Sequence, residues 1–441
     1  MTWLFTDVAF AALLLAALIP VAALAPLRWA VLVWLMTNHL DATGSGFPSN
    51  VQVGWLNAVK AVALPCWLLV RLRAVPGSVA ASFGGRAWLL LAGYAALSAS
   101  WSEFPLAGLK LAAGMAGILL AAAALEKAVR AGALEEGSMW RFLAASLALA
   151  VLQTALFPDG SFGFAGRGMP QRFTSFVSAQ QYAALVAALV AWVLWVPELR
   201  SGWRTCWVLV LFAALAANGS RTWSAGALLA LAAHGLFRER NRTGYLRVAA
   251  AVLVLFSVPA VRHGVAARRL APANRLAATA SAVLTGEDRA GGMGLGTARF
   301  RLRMYSGVAE EMRCSSARQW LLGHGAASGG RLGLRLFPYA YRPESLDANR
   351  VIHNEWLRVI YEFGAAGTAL WLGVLGAVGR LAWRRRQERA AAALLAYLPA
   401  WLLGLSAENV IDGAGNAVTA GFLLLLAGAL AAPPPAERKR A

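Results

Sequence analysis

A histidine at the start of a predicted apolar helix is the residue best placed to do chemistry in this chain. His353 opens the sequence His-Asn-Glu-Trp-Leu-Arg-Val-Ile-Tyr-Glu-Phe-Gly-Ala-Ala-Gly. On a helix, Glu355, Arg358 and Glu362 share one face at spacings of three and four residues, so their charges can pair. The imidazole therefore stands at a helix end beside a braced, charged flank. This is a position that suits a general base.

The same predicted helix has a second face that carries two glycines. Gly364 and Gly367 fall in line with His353, and small residues let neighbouring helices approach closely in membrane bundles. We therefore predict a close contact with another helix of the bundle at these glycines. We predict that Asn354, which follows the histidine, supports His353 together with the charged residues of the first face.

The composition indicates a membrane protein. The mean hydropathy of +0.57 and the 59% of hydrophobic residues exceed what a soluble domain of this length carries. Apolar runs near the ~20 residues that cross a bilayer recur along nearly the whole chain. We predict an all-α polytopic protein with about 12 transmembrane helices, in a range of roughly 11 to 13.

Arginine-rich connections predict the orientation and the domains. Clusters at 238–247 and 380–389 mark cytoplasmic connections by the positive-inside rule, so the polar stretch between them lies on the outer side. The predicted parts are transmembrane helices over 1–261, a large and partly helical outer loop over 262–352, transmembrane helices over 353–432 and a cytoplasmic tail over 433–441.

The first forty residues leave the number of spans open. Two full spans in 5–40 would place Met1 outside, whereas a single span, or one broken around Pro20 and Pro26, would leave both termini inside. We prefer the single span, which gives the count of about 12.

The net charge of +20 could indicate a nucleic-acid partner, but its distribution predicts none. Much of it lies in short caps between apolar runs, as the positive-inside rule expects. The rest is concentrated in 262–352, which has fourteen arginines, no lysine and six acidic residues. One explanation for the choice of arginine over lysine is codon bias. The alternative explanation is that planar guanidinium groups recognise phosphate.

Two further outer stretches carry arginines that suit an anion. Arg172 stands near Ser175, Gln180 and Gln181, which could bind sugar hydroxyls or phosphate, although an ordinary polar loop is the alternative. Arg221 lies at the start of a helix, where backbone amides and the positive end of the dipole favour an anion. The alternative for Arg221 is a snorkelling side chain at the membrane edge.

A third stretch lies inside the long loop. On a helix, Arg299 and Arg303 share a face four residues apart, where they repel unless an anion lies between them, and Arg301 points elsewhere. We expect His324, which is flanked by glycines, to be a turn residue rather than a ligand or base.

Metal ligands are not evident in the sequence. No Asp-x-Asp pair occurs, and the three cysteines show no metal spacing. We therefore predict neither a metal nor another cofactor. The outer-side acidic residues are scattered: Glu103, Asp159, Asp347, Glu408 and Asp412.

The order of these motifs resembles the bacterial O-antigen ligase and polymerase superfamily. The resemblance covers 160–380 by motif and the remainder by topology only. One departure is Ser178-Ala-Gln-Gln, where many members have Asn-Pro-Asn. The motifs are Arg-Phe-Thr-Ser-Phe (172–176), Ser-Arg-Thr (220–222), Arg-x-x-Met-Tyr (301–305), Leu-Gly-His-Gly (322–325), His-Asn-Glu-Trp-Leu (353–357) and Glu-Phe-Gly-Ala-Ala-Gly (362–367).

The resemblance implies a glycosyltransferase-C-like fold and a metal-independent, inverting transfer of a glycan from undecaprenyl pyrophosphate. In the ligase branch the acceptor is the lipid A-core oligosaccharide, and a multi-pass protein of the bacterial inner membrane acts at the periplasmic face. Arg172, Arg221 and Arg301 would then hold the pyrophosphate, with Arg299 and Arg303 nearby. His353 would accept the proton of the acceptor hydroxyl or, in the competing role, hydrogen-bond to the pyrophosphate.

Other functions use similar features. A polymerase of lipid-linked repeat units, or a protein O-oligosaccharyltransferase, would use the same donor. A flippase for lipid-linked oligosaccharides belongs to a different class, and it should show a polar midplane cavity and symmetry between halves. Neither feature is evident in the sequence.

Overall fold

The computed structural model describes residues 7–41, 54–158, 172–237, 296–336, 352, 354–406 and 417–431. These residues are mostly helical and include no strand, only an isolated bridge between Leu40 and Phe176. The helices, in chain order, are α1 (Asp7–Leu24), α2 (Leu27–Thr37), α3 (Gly54–Ala58), a π-helical segment (Val59–Ala63), α4 (Leu64–Arg71), α5 (Phe83–Ser98), a 3-10 turn (Ala99–Trp101), α6 (Pro105–Arg130), α7 (Glu136–Leu156), α8 (Ala179–Trp195), α9 (Ser201–Asn218), α10 (Arg221–Phe237), α11 (Gly296–Cys314), α12 (Ala317–Leu322), α13 (Gly329–Leu336), α14 (Glu355–Arg384), α15 (Arg389–Leu405) and α16 (Ala417–Ala431).

The described part of the chain is helical, as predicted. Four of its helices, α1, α6, α7 and α14, are long and apolar enough to cross a membrane. Three further helices, α11 to α13, occupy 296–336 of the predicted outer loop. The tail at 433–441 lies outside the described residues, as does the predicted arginine-rich connection at 238–247.

The centre of the bundle is α8. Its residues from Tyr182 to Trp195 are all buried, and it packs against α9, α10, α15 and α16. A helix that is apolar on every face suits either a protein core or lipid, and in α8 the neighbouring helices provide the cover.

One end of the bundle is rich in arginine. Arg130 and Arg385 both donate to the Leu430 carbonyl, at 2.8 and 3.3 Å. Lys127 reaches the Leu72 carbonyl at 3.3 Å. Cations at helix C-termini satisfy carbonyls that have no partner inside the helix and complement the helix dipole. We call this the arginine end, and it brings together the C-terminal ends of α4, α6, α14 and α16.

The opposite end carries the loop helices. Ala326, which follows α12, receives a hydrogen bond from Ser102 Oγ (2.6 Å) and donates one to Ser98 Oγ (3.1 Å). Tyr305 of α11 donates to the Ser406 carbonyl at 3.1 Å. We call this the motif end, defined by Ser98–Ser102, Ser406 and helices α11 to α13. The loop helices and the arginines at 380–389 thus lie at opposite ends of α14.

Within 5–40, α1 and α2 run in opposite directions, and only α1 is long enough to cross a membrane, so the number of spans here stays a prediction. Val8 of α1 packs in one cluster with Leu40 and Phe176, whereas Arg71 donates to the Ala25 carbonyl between the two helices at 2.8 Å. The N-terminus of α1 is therefore at the motif end and the turn is at the arginine end. Pro26 enforces this turn, since the residue before a proline is disfavoured in helical conformation.

Candidate functional site

His353 lies outside the described residues, whereas both of its neighbours are described. Ile352 is buried against Met304 of α11. Asn354 caps α14, since its Oδ1 accepts a hydrogen bond from the Leu357 amide at 3.1 Å. A side-chain oxygen at this position satisfies a helix amide that has no partner within the helix. The chain therefore enters α14 at the motif end with a fixed direction.

The charged residues of the first turns of α14 form a buried network. Arg358 Nη1 lies 3.6 Å from Glu355 Oε1, and Arg358 Nε lies 3.4 Å from Glu362 Oε2. All three side chains are 1% exposed, so each depends on the others for compensation of its charge. The pairing predicted from the spacing of these residues is confirmed, and their burial is new information.

Glu362 also fastens the loop to this helix. Its Oε2 accepts from the Ala327 amide at 3.0 Å, and its Oε1 accepts from the Gly329 amide at 3.3 Å. Gly329 is the first residue of α13, where backbone amides lack partners and the helix dipole favours a carboxylate. One carboxylate therefore joins α13, α14 and the network around Arg358.

The two glycines of this face of α14 have different neighbours: Gly364 meets the loop, whereas a Cβ at Gly367 would lie 3.4 Å from the ring of Tyr94 on α5. Gly364 has φ of 60°, which glycine adopts without strain, and a Cβ there would lie 2.6 Å from the Leu321 carbonyl oxygen. Beside this break in the helix, the Tyr361 carbonyl accepts a hydrogen bond from the His324 amide at 2.9 Å. The predicted contact with a bundle helix is confirmed at Gly367, whereas the close approach at Gly364 is to the loop.

His324 is a turn residue, as expected. The glycines on either side have φ of 78° and 98°. The ring of His324 stacks on that of Tyr361 with centroids 4.4 Å apart, and Nε2 lies 2.8 Å from Ser315 Oγ. Burial lowers the pKa of His324, so the imidazole is neutral at pH 7. This residue orders the Leu-Gly-His-Gly segment against α14.

The stretches around Arg172 and Arg221 are adjacent in space. Arg172 Nε donates to the Asn218 carbonyl at 2.8 Å, and Asn218 Nδ2 donates to the Phe173 carbonyl at 2.8 Å. Asn218 ends α9, and Arg221 begins α10 three residues later. The side chain of Arg221 lies outside the described part, but the start of its helix is at the motif end.

Two of the polar residues suggested as sugar or phosphate ligands have internal partners. Ser175 is fully buried, and its Oγ lies 3.0 Å from His39 Nδ1. Gln180 accepts a hydrogen bond from Ser220 at 2.6 Å. The bridge that pairs Phe176 with Leu40 turns this segment into the bundle. These two side chains therefore hold motif segments together, and Ser175 does not face outward as suggested.

The sequence reasoning missed a buried polar cluster beneath this segment. His39 Nε2 lies 2.7 Å from Ser146 Oγ, and Lys60, which is 3% exposed, donates to the Leu40 carbonyl. Ionisable residues within apolar membrane sequence are expensive and rarely unpaired. The position of His39 and Lys60 in apolar runs was the signal that could have revealed them.

The arginines at 299, 301 and 303 lie on α11. Because this stretch is helical, Arg299 and Arg303 share a face as predicted. Arg303 is exposed, whereas the side chains of Arg299 and Arg301 lie outside the described part. Arg301 is one helical turn from Tyr305, whose hydroxyl reaches the end of α15. Helix α11 therefore lies beside the end of α15 at Tyr305.

The C-terminal end of α15 contacts both helix α11 and the first turn of α10. A Cβ at Gly404 would lie 2.3 Å from the ring of Trp223, which is two residues after Arg221. Two residues beyond Gly404, Ser406 accepts the hydrogen bond from Tyr305. One end of the bundle therefore contains the starts of α10 and α14, the turn at Arg172 and helix α11.

The donors needed for a metal centre are not grouped in the described part of the chain. No three His, Cys, Asp or Glu side chains there could hold a metal ion. Since His353 and several acidic residues lie outside that part, independence of metal stays a prediction. A comparison of the chain with models of protein families and with curated proteins finds no match.

Proposed function

We propose that this protein is an O-antigen ligase of the bacterial inner membrane. It transfers a glycan from undecaprenyl pyrophosphate to the lipid A-core oligosaccharide at the periplasmic face, by an inverting, metal-independent reaction without a cofactor. The proposed architecture is glycosyltransferase-C-like with about 12 spans. The chain would face lipids and lipid-linked sugars, not nucleic acid.

One observation carries this proposal. Stretches that are far apart in the sequence, at 172, 221, 301 and 354, meet at the motif end, and the arginine caps at 380–389 lie at the other end. A departing pyrophosphate needs its growing negative charge stabilised. Preorganised arginines supply this stabilisation most effectively where water is excluded.

The proposed roles follow from this arrangement. Arg172, Arg221 and Arg301 bind the pyrophosphate, and Arg299 and Arg303 add positive charge along α11. His353 accepts the proton of the attacking hydroxyl, since neighbouring arginines disfavour the imidazolium form. Asn354 and the Glu355–Arg358–Glu362 network direct the start of α14 and fasten the loop beside it.

The function is tested by complementation and by transfer in vitro. We expect the chain to restore the full lipopolysaccharide ladder in a strain that lacks its own ligase, and the purified protein to transfer glycan in excess chelator. The same chain in a strain lacking only the polymerase is the control, and it should leave a single-repeat band. If the chain converts that band into a ladder, it is a polymerase. If it restores neither strain, the proposed function is wrong.

The proposed orientation predicts which end of the bundle an impermeant thiol reagent reaches. Cys314 ends α11 at the motif end and is exposed. Ser201 is exposed at the start of α9, near the contact of Arg389 with Glu198 at the arginine end. With the outer membrane permeabilised, a variant that keeps only Cys314 should be labelled. A variant that carries only Ser201→Cys should be labelled after lysis of the inner membrane. The reverse result would invert the orientation.

A further inference from the structure

An elongated cavity lies between α5, α6, α14, α15 and α16, away from the candidate site. Its volume is about 480 Å³, within the roughly 300–1,000 Å³ of pockets that hold small molecules. The walls are apolar for most of its length, with Ile118 and Leu119 on α6, Val374 on α14 and Leu423 on α16. The proposed transferase reaction makes no use of this cavity.

The cavity is aromatic at its inner end. Trp371 and Trp401 line it with ring centroids 5.9 Å apart, and Trp401 stacks on Phe422 at 4.1 Å. Arg384 is thirteen positions after Trp371 on α14, which is about 20 Å along a helix. This length is comparable to the depth of one leaflet, roughly half of a ~30 Å hydrocarbon core. The dimensions suit a single hydrocarbon chain.

The mouth of the cavity is positively charged. Arg380, Arg384 and Arg385 line it at the arginine end, and no aspartate or glutamate is among the described lining residues. Arg385 also donates to the Ala429 carbonyl at 2.9 Å, so part of its role is to cap α16. Arg380 and Arg384 are exposed. Guanidinium groups bind phosphate oxygens through planar, paired hydrogen bonds.

We infer that this cavity binds one anionic phospholipid from the leaflet at the arginine end. An acyl chain fills the apolar part as far as Trp371, and the phosphate lies on Arg380 and Arg384. Basic pockets between membrane helices select anionic head groups, and an apolar space filled by a chain regains the packing contacts that an empty one forfeits. The inference depends on membrane insertion but not on the proposed transferase function.

The test measures lipid binding to the purified full-length protein by native mass spectrometry in neutral detergent. We expect phosphatidylglycerol to bind more tightly than phosphatidylcholine with the same chains. Each arginine near a phosphate contributes roughly fivefold, so Arg380→Gln/Arg384→Gln should weaken phosphatidylglycerol binding about 30-fold. The control Arg200→Gln/Arg386→Gln removes the same charge from exposed positions at this end but outside the cavity, and it should change binding less than about twofold.

Two further arms separate a lipid from other sources of phosphate. Glycerol 3-phosphate, which has the phosphate but no chains, should not compete. Leu119→Trp fills the cavity and should remove phosphatidylglycerol binding while thermal unfolding stays cooperative. Three results would each overturn the inference. They are an equal loss of phosphatidylglycerol binding in the two arginine double variants, competition by glycerol 3-phosphate, and equal binding of phosphatidylglycerol and phosphatidylcholine. If Leu119→Trp does not fold, the two arginine pairs decide the question.

Discussion

His353→Ala is expected to lower turnover by about 10²–10⁴-fold, the range that general-base assistance typically provides. The protein should still insert, purify and bind the lipid-linked donor, because Asn354 caps α14 and the buried charges of its first turns remain paired. The measurement is turnover at saturating donor, made alongside donor affinity and a thermal unfolding curve.

Two other substitutions make this result specific. His353→Gln keeps a hydrogen-bonding side chain but cannot act as a base near pH 7. If it restores turnover, His353 binds the pyrophosphate and takes no proton. His324→Ala is the matched control, because that imidazole packs on Tyr361 in a turn of the same region. It should affect stability more than turnover. A His353→Ala protein that cannot be purified folded would assign His353 to the structure alone.

The second large effect is expected for Arg358→Met. This change leaves two carboxylates, Glu355 and Glu362, buried at 1% exposure without the cation that lies between them. Removing one partner of a buried ionic network typically costs about 3–5 kcal/mol of folding free energy. The midpoint of thermal unfolding in detergent should fall steeply. Protease digestion should cut the loop earlier than in the unaltered protein, since Glu362 fastens α13.

The control for Arg358 is an exposed arginine that is also paired. Arg331 forms an ion pair with Glu103, and its side chain is 56% exposed. Arg331→Met should therefore cost less than about 1 kcal/mol. Glu355→Gln combined with Arg358→Met removes one of the two stranded charges and should recover part of the loss. Equal destabilisation by Arg358→Met and Arg331→Met would show that the buried network does not control stability.

The sequence alone determined the features that depend on local spacing. Apolar runs predicted helices, and the described chain is helical with four helices of membrane-spanning length. The spacing of Glu355, Arg358 and Glu362 predicted their pairing, because helix geometry brings residues three and four apart together whatever surrounds them. The glycines around His324 likewise predicted a turn, since their backbone freedom is a property of the residue type.

Only the tertiary structure decided which distant segments meet. Glu362 binds amides more than thirty residues away, Arg172 reaches the end of α9, and Gly364 receives the loop. The spacing of residues along the sequence does not predict such contacts, because they arise from the packing of many side chains at once. The reversal between α1 and α2 has the same cause. Pro20 lies inside α1, whereas Pro26 precedes α2 at the turn. The packing of α1 against Phe176 and the hydrogen bond from Arg71 at the turn show that the chain reverses at Pro26 and not at Pro20.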